Sequence, residues 1–389
     1  MLLSLLVIGI FGLITSTVFA GLVLAGARHH LRGRKAELLH AGFTPPLSLL
    51  KPVHGIEPDL ASHLATFFEQ DYPEFEILFC ARNEEDEGLE IARQVARLYP
   101  QVRAKFLCIG GEPPYINAKV ASLEKMAAEA AHEILVISDS DVRVTPDYLY
   151  AVARPFADEK VGAMTCLYRG VATEGGLWAR LEAVGMSVEM TSGVLVANLI
   201  EGMQFVLGPT MAVRRECVEE MGGLGILGEY CADDYILGKR VFLQGRKVAL
   251  SHHSIEHLVL NSDLADSLKH QVRWMKSTRF SRPKGHLGTA LTFSMPFALL
   301  GLTAACMLRH PVLGVVLFAW GLITRWAIAW AAGRRVVGDP SLLDLFVLFP
   351  VRDLMGFGFW AASYLGSTIV WRGRLYELSS GGRMHAAAE

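Results

Sequence analysis

Ile134-Leu135-Val136-Ile137-Ser138-Asp139-Ser140-Asp141 is an apolar run that ends in two aspartates one residue apart. A run apolar at every position, not at alternate ones, reads as a strand buried on both faces, as in a parallel sheet covered by helices. Outward from it, Leu47 to Leu50, Phe75 to Cys80 and Ala104 to Ile109 have the same character. Helical patterns around Leu60 to Phe68, Leu89 to Leu98 and Ala118 to Ala128 separate them. This alternation predicts βαβ units and an α/β fold with a mostly parallel sheet. In such sheets ligands bind beyond the carboxyl ends of the strands. Acids stand there twice, in Ala81-Arg82-Asn83-Glu84-Glu85-Asp86 and in Ser138-Asp139-Ser140-Asp141.

Asp139 and Asp141 offer hard oxygen ligands in the pattern that holds Mg2+ or Mn2+ together with substrate phosphates. A solvated turn, where acids are also common, is the plainer reading. Thr145-Pro146-Asp147 predicts a helix start with Thr145 as N-cap and Pro146 in the first turn. Gln204 to Arg214 reads as a strand broken at Gly208-Pro209, and Ala232-Asp233-Asp234-Tyr235 opens a helix through Phe242. The helix dipole alone favours acids at such a start. A carboxylate there can also take a proton from an attacking hydroxyl, and pairing two acids raises one pKa toward the working range.

Composition separates the chain into two kinds of sequence. Of 389 residues, 52% are hydrophobic and 20% charged, too apolar for an ordinary soluble enzyme and too charged for a wholly membrane-embedded one. Leu2 to Ala27 carry no charge and are long enough as a helix to cross a bilayer core of about 30 Å. Arg28, Arg32, Arg34 and Lys35 follow, which the positive-inside rule places in the cytoplasm. The expected organisation is a membrane anchor at 1–27, a basic linker at 28–45, a cytoplasmic α/β domain at 46–260, an amphipathic interfacial helix at 261–286 and a C-terminal membrane region at 287–389. Net charge of −2 argues against a nucleic-acid partner. Cys80, Cys108, Cys166, Cys217, Cys231 and Cys306 lack paired metal spacing and read as small core residues.

In the C-terminal region, Leu287 to Leu308 and Pro311 to Ala332 read as a hairpin across the bilayer. Leu342 to Val370, interrupted by Pro350, Arg352 and Asp353, reads as a broken or re-entrant span. Arg325 lies in an apolar stretch, either as a functional charge or paired with Asp344 or Asp353. Leu177, Leu181, Val184, Val188 and Leu195, with Trp178, form an apolar stripe of the kind most often found on a core helix face, with a lipid entry path as the second reading. His270-Gln271-Val272-Arg273-Trp274 sits in a basic amphipathic segment suited to the membrane interface. Within it Arg273 can grip a phosphate and Trp274 can cover a sugar or lipid.

These motifs together resemble the ceramide glucosyltransferase family, within the inverting nucleotide-sugar transferases of GT-A (Rossmann-like) fold. The likeness runs from Ser48-Leu49-Leu50-Lys51-Pro52 and Phe67-Phe68-Glu69-Gln70-Asp71-Tyr72-Pro73 through Ile109-Gly110-Gly111, Asn117-Ala118-Lys119 and Asp139-Ser140 to Ala232-Asp233-Asp234-Tyr235 and Arg273-Trp274. It implies transfer of a hexose from a UDP-sugar to a lipid hydroxyl, by an integral protein of the cell inner membrane whose catalytic domain is cytoplasmic. It implies Asp86 near the nucleotide base, Lys119 at the nucleotide, Asp139 at metal and diphosphate, Asp234 as general base, and Arg273 with Trp274 closing the site. Asp233 and His270 are secondary candidates; His270 stands where the family has Gln or Arg, and Asp141 where some members have Gly. The chain also resembles the bacterial hopanoid glycosyltransferases, which place N-acetylglucosamine on a hopanoid alcohol. A processive polysaccharide synthase shares the same acids but needs more membrane helices. A non-catalytic nucleotide-sugar-binding membrane protein would tolerate loss of Asp234.

Overall fold

The computed structural model describes residues 1–37, 42–173, 176–260, 263–371 and 373–387, with side chains at 34–37 also outside the description. The chain forms two compact units interleaved in sequence. One is helical, Met1–Leu31, Arg169–Ile200 and Asn261–Gly382; the other is α/β, Arg32–Tyr168, Glu201–Leu260 and Arg383–Glu389.

After α1 (Leu2–Glu37) come β1 (Leu47–Pro52), α2 (Leu60–Phe68), β2 (Phe75–Ala81), α3 (Glu87–Leu98), β3 (Arg103–Cys108), α4 (Ala118–Glu129) and β4 (Ile134–Ile137). The strands lie in the order β3-β2-β1-β4 and all pair in parallel, as the alternation predicts. Leu49, Leu50, Ile77, Leu78, Val136 and Ile137 have no exposure, which explains why these runs are apolar throughout. The sheet then continues past β4.

β5 (Val142–Arg143), α5 (Tyr148–Ala153) and β6 (Val161–Ala172) precede the long helix formed by α6 (Leu177–Val184), a π-helical turn at Gly185–Met190 and α7 (Thr191–Glu201). β7 (Met211–Arg214), α8 (Arg215–Glu220), α9 (Asp233–Leu243) and β8 (Lys247–Val259) complete an eight-stranded sheet, β3-β2-β1-β4-β7-β6-β8-β5. The pairings of β4 with β7, β6 with β7 and β5 with β8 are antiparallel.

Two local expectations shift. α5 starts at Tyr148, not at Pro146, because the Thr145 hydroxyl donates to Asp147 Oδ1 at 2.5 Å and does not cap the helix. Only Met211 to Arg214 of the expected Gln204 to Arg214 strand is extended; Leu207 and Thr210 form an isolated bridge around Gly208-Pro209.

In the helical unit α10 (Leu264–Ser281), α11 (Pro283–Thr289), α12 (Met295–Met307), α13 (Pro311–Ile328), continued by π-helix at Ala329–Val336, and α14 (Leu342–Ala362) lead to the antiparallel pair β9 (Thr368–Trp371) and β10 (Arg374–Leu378). The α/β unit ends on β11 (Met384–Ala386). Among the described residues three helices are long and apolar enough to cross a membrane: Leu2–Gly33, Leu177–Glu201 and Pro311–Val336. Arg28 and Arg32 are exposed beyond the apolar part of α1, while the side chains of Arg34 and Lys35 lie outside the described residues.

The Leu287 to Leu308 span is shorter than expected. At 13 residues α12 measures about 20 Å, well under a bilayer core. It begins at Met295 because Asp353 accepts from the Ser294 and Met295 N–H groups at 2.8 and 2.7 Å. The break expected near Pro350 is absent, since α14 runs through it. Proline removes the N–H that would bond the carbonyl four residues earlier; here the Trp326 indole donates to the Phe346 carbonyl at 2.9 Å. Trp326→Phe should lower stability by about 0.5–1.5 kcal/mol, the net contribution of one hydrogen bond, read as Tm in detergent. In a Pro350→Ala background, where the residue-350 N–H can serve Phe346, the same change should have little effect; an undiminished loss there refutes the compensation.

Arg325 is paired, with Asp353 at 2.7 Å, and both side chains are 3% exposed. Asp344 pairs with Arg180 instead. Leu181, Val184, Val188 and Leu195 are buried, but Leu177 is half exposed. Cys80, Cys166 and Cys217 are core residues as expected; Cys108 and Cys231 are partly exposed and Cys306 is exposed.

Candidate active site

Strand β4 ends at Ile137 and delivers Ser138 to Asp141 to the sheet edge. This loop is tied from several directions. Lys51, wholly buried at the end of β1, donates to the Asp139 carbonyl and, at 3.4 Å, meets the Ser138 hydroxyl, with its ammonium 3.8 Å above the Phe67 ring. The Ser140 hydroxyl donates to Glu57 at 2.9 Å. Asp141 Oδ2 lies 3.1 Å from His257 Nε2 on β8, and Tyr168 packs edge-on against that imidazole. Burial brings the Lys51 pKa down to about 7 against the pull of Asp139, Asp141 and Glu57. Burial also raises Glu57. For Asp141 burial pushes upward, yet His257 and Lys51 together hold it below its usual value.

Asn117 caps α4, accepting from the Lys119 N–H at 3.2 Å while its amide donates to the Tyr230 carbonyl. Lys119 in the first turn thereby points its ammonium at Asp139, 2.6 Å away, and at Asp233, 3.5 Å away. Burial opposes that charge, but Asp139 and Asp233 overcome it and raise the pKa of Lys119.

Asp233 and Asp234 open α9 as expected. Asp234 accepts from the Gly208 N–H at 2.9 Å and from the Tyr235 N–H at 2.7 Å. Burial first and Asp233 second push its pKa up to about 6. A Cβ at Gly208 would stand 3.3 Å from Asp139 Oδ2 and 3.5 Å from Asp234 Oδ2. The two carboxylates from separate stretches thus flank one glycine, and any larger residue would intrude between them.

Asp86 is placed differently. Its carboxylate caps α3, accepting from Gly88 at 2.9 Å and Leu89 at 3.4 Å, and also from Gly55 at 3.0 Å. The loop that carries Gly55 and Glu57 links it to Ser140 beside the other acids. His270, Arg273 and Trp274 belong to α10 in the helical unit. There His270 lies 2.8 Å from Glu182, with its ring centroid 4.2 Å from that of Trp274 at a tilt of 51°, while Arg273 sits 6.0 Å over the Trp371 ring.

Residues 12–384 match the family model described as Glycosyl transferase family 21. The chain belongs to this family. Ceramide glucosyltransferase 1 of Caenorhabditis elegans is 27% identical over 350 residues, covering 88% of this glycosyltransferase and 74% of the relative. A ceramide glucosyltransferase of Komagataella phaffii is 37% identical over 101 residues, 25% of this chain and 20% of its own. The fold of this family 21 enzyme is that of a mannosyltransferase from Pyrobaculum calidifontis solved with GDP-Man and Mn2+, with TM-score 0.51 and 16% identity over 92% of this chain and 98% of the other. The GT-A architecture expected from the sequence is therefore present.

Lys51, Glu57, Tyr168 and His257 were not among the sequence candidates. A lysine inside a run otherwise buried on both faces was the one local signal available; His257 has none, since its partner is 116 residues away.

Proposed function

We propose that this glycosyltransferase moves a hexose from a UDP-sugar onto the hydroxyl of a membrane lipid, ceramide or a close analogue, by a single displacement with inversion. The carrying observation is the convergence of Asp139 and Asp234 on Gly208, with Lys119 bound to the first. Asp234, pushed up to about 6, is matched to accept a proton near neutral pH. As the lipid oxygen bonds to the anomeric carbon, the bond from that carbon to the diphosphate oxygen breaks, the hydroxyl proton passes to Asp234 and UDP departs. Lys119 presents its ammonium to the diphosphate. Asp86 is assigned to the base end of the donor, and Arg273 and Trp274, with His270 as a secondary candidate, to donor binding.

Among the described residues no three His, Cys, Asp or Glu side chains form a closed metal cage. Mg2+ is commonly held by only one or two carboxylates with substrate phosphates, and the residues fit that lesser demand. Asp141 Oδ1 and Glu57 Oε2 are buried without a hydrogen bond, as cation-facing oxygens would be. Asp139 and Asp141 are the residues that would hold Mg2+ or Mn2+. Such an ion, when bound, supplies positive charge at the leaving diphosphate.

The curated relatives are named for ceramide glucosylation, which supports a lipid acceptor. The exposed Arg28 and Arg32 support a cytoplasmic face for the chain that follows α1. Purified protein with membrane lipid extract and a panel of nucleotide sugars should yield one glycolipid by mass spectrometry. Chelation should abolish the product and added Mn2+ or Mg2+ restore it; undiminished transfer in chelator would remove the metal assignment, and no glycolipid from any donor would remove the lipid acceptor.

A further inference from the structure

The helix that carries Asp233 and Asp234 begins without a cap. Its N-cap residue is Ala232, whose methyl group cannot accept from the first N–H groups, so the placing of both acids falls to the loop before it. Three consecutive carbonyls of that loop are each held. Gly228 accepts from the Asn117 N–H at 2.8 Å, Glu229 from the Met384 N–H at 2.7 Å, and Tyr230 from the Asn117 side-chain amide at 3.2 Å. Asn117 also accepts from the Lys119 N–H and so caps α4. One asparagine therefore ties the first turn of α4, with Lys119, to the stretch of chain three residues ahead of Asp233.

A second hold comes from the last residues of the same α/β unit. Arg383 forms an antiparallel bridge with Tyr230, donates from Nε to the Tyr230 hydroxyl at 3.0 Å, and lies with its guanidinium 5.6 Å over the Tyr230 ring. Its Nη1 is 3.8 Å from Glu229. Tyr230 is buried, whereas the Arg383 side chain is 52% exposed. Pairs at that exposure add little to stability. The contacts that Arg383 makes with one tyrosine therefore bear on where the loop sits more than on whether the chain folds.

We infer that Arg383 is a positioning residue of the donor site: by fixing Tyr230 it keeps Asn117 seated, and Asn117 in turn holds the Lys119 ammonium where it meets the diphosphate. This rests on the proposed role of Lys119. The base end of the donor is held independently, since Asp86 is tied to Gly55, Gly88 and Leu89 and not to this loop. Loss of Arg383 is accordingly felt at the diphosphate and not at the nucleoside.

The test measures binding of UDP and of uridine, with Mn2+ present, to the full chain in nanodiscs, together with Tm. Arg383→Met keeps the aliphatic stem and drops the guanidinium, Arg383→Lys keeps a cationic donor, and Tyr230→Phe drops the hydroxyl alone. Arg383→Met should weaken UDP binding by about tenfold, the order of one hydrogen bond to a charged group, with uridine affinity and Tm at their wild-type values. Arg383→Lys should recover most of that loss. Tyr230→Phe should weaken UDP in the same direction, and the Tyr230→Phe/Arg383→Met double variant should bind UDP as Arg383→Met does, because both changes remove the same contact. Unchanged UDP affinity in Arg383→Met, an equal loss for UDP and uridine, or single losses that multiply in the double variant would each overturn the inference. Should Arg383→Met fail to fold, Tyr230→Phe decides through the same comparison of UDP with uridine. Wild-type protein that binds UDP but makes no glycolipid would end the transfer reading and leave the positioning role to that comparison; wild-type protein that binds uridine as tightly as UDP would remove Lys119 from the diphosphate and the inference with it.

Discussion

Asp234→Asn should reduce lipid glycosylation by about 10²- to 10⁴-fold, the range for loss of a positioned general base, while leaving donor affinity near its wild-type value. The change preserves size and keeps an oxygen for one of the two backbone N–H groups that the carboxylate serves. The pH profile supplies an independent check. Burial and Asp233 raise the pKa of this carboxyl to about 6, and only its ionised form can take a proton. Transfer should therefore climb tenfold per unit as pH rises toward about 6 and level off above it; in the Asn variant the residual rate should lack that acid limb. Retained activity in this variant would remove the assigned base.

The second large effect concerns stability. Arg325 and Asp353 are 3% exposed and 2.7 Å apart, and removing one partner of such a pair strands the other charge, at a cost of about 3–5 kcal/mol. Asp353→Leu should be worse than Arg325→Met, because Asp353 also satisfies the first N–H groups of α12. The double variant should recover much of the loss, since apolar replacement of both charges is often tolerated. Thermal unfolding of the detergent-solubilised protein gives the comparison. Equal Tm for the two single variants would contradict the capping role.

What could be read from sequence followed the range of the interactions involved. The parallel half of the sheet was legible because Leu49, Ile77 and Val136 sit in runs whose apolar character is itself the consequence of two-sided burial. Asp139 and Asp234 were legible because a strand end and a helix start mark them locally. His257 was not, for its strand is rich in polar residues and its meaning lies in Asp141, across the sheet. Lys51 and Glu57 were hidden for the same reason, each defined by a partner more than 80 residues on. In the C-terminal region the local rules pointed the wrong way. Pro350, Arg352 and Asp353 each argue for an interrupted helix, but Trp326, Glu189 and Arg325 offset the three penalties from other helices.

The apolar helix Leu177–Glu201 falls between β6 and β7, and β7 is the strand that joins β4 to β6. During synthesis the ribosome therefore emits a bilayer-seeking segment before the sheet has its central piece. A fragment trimmed at both ends therefore still carries, inside its sheet topology, an apolar helix long enough to cross a membrane.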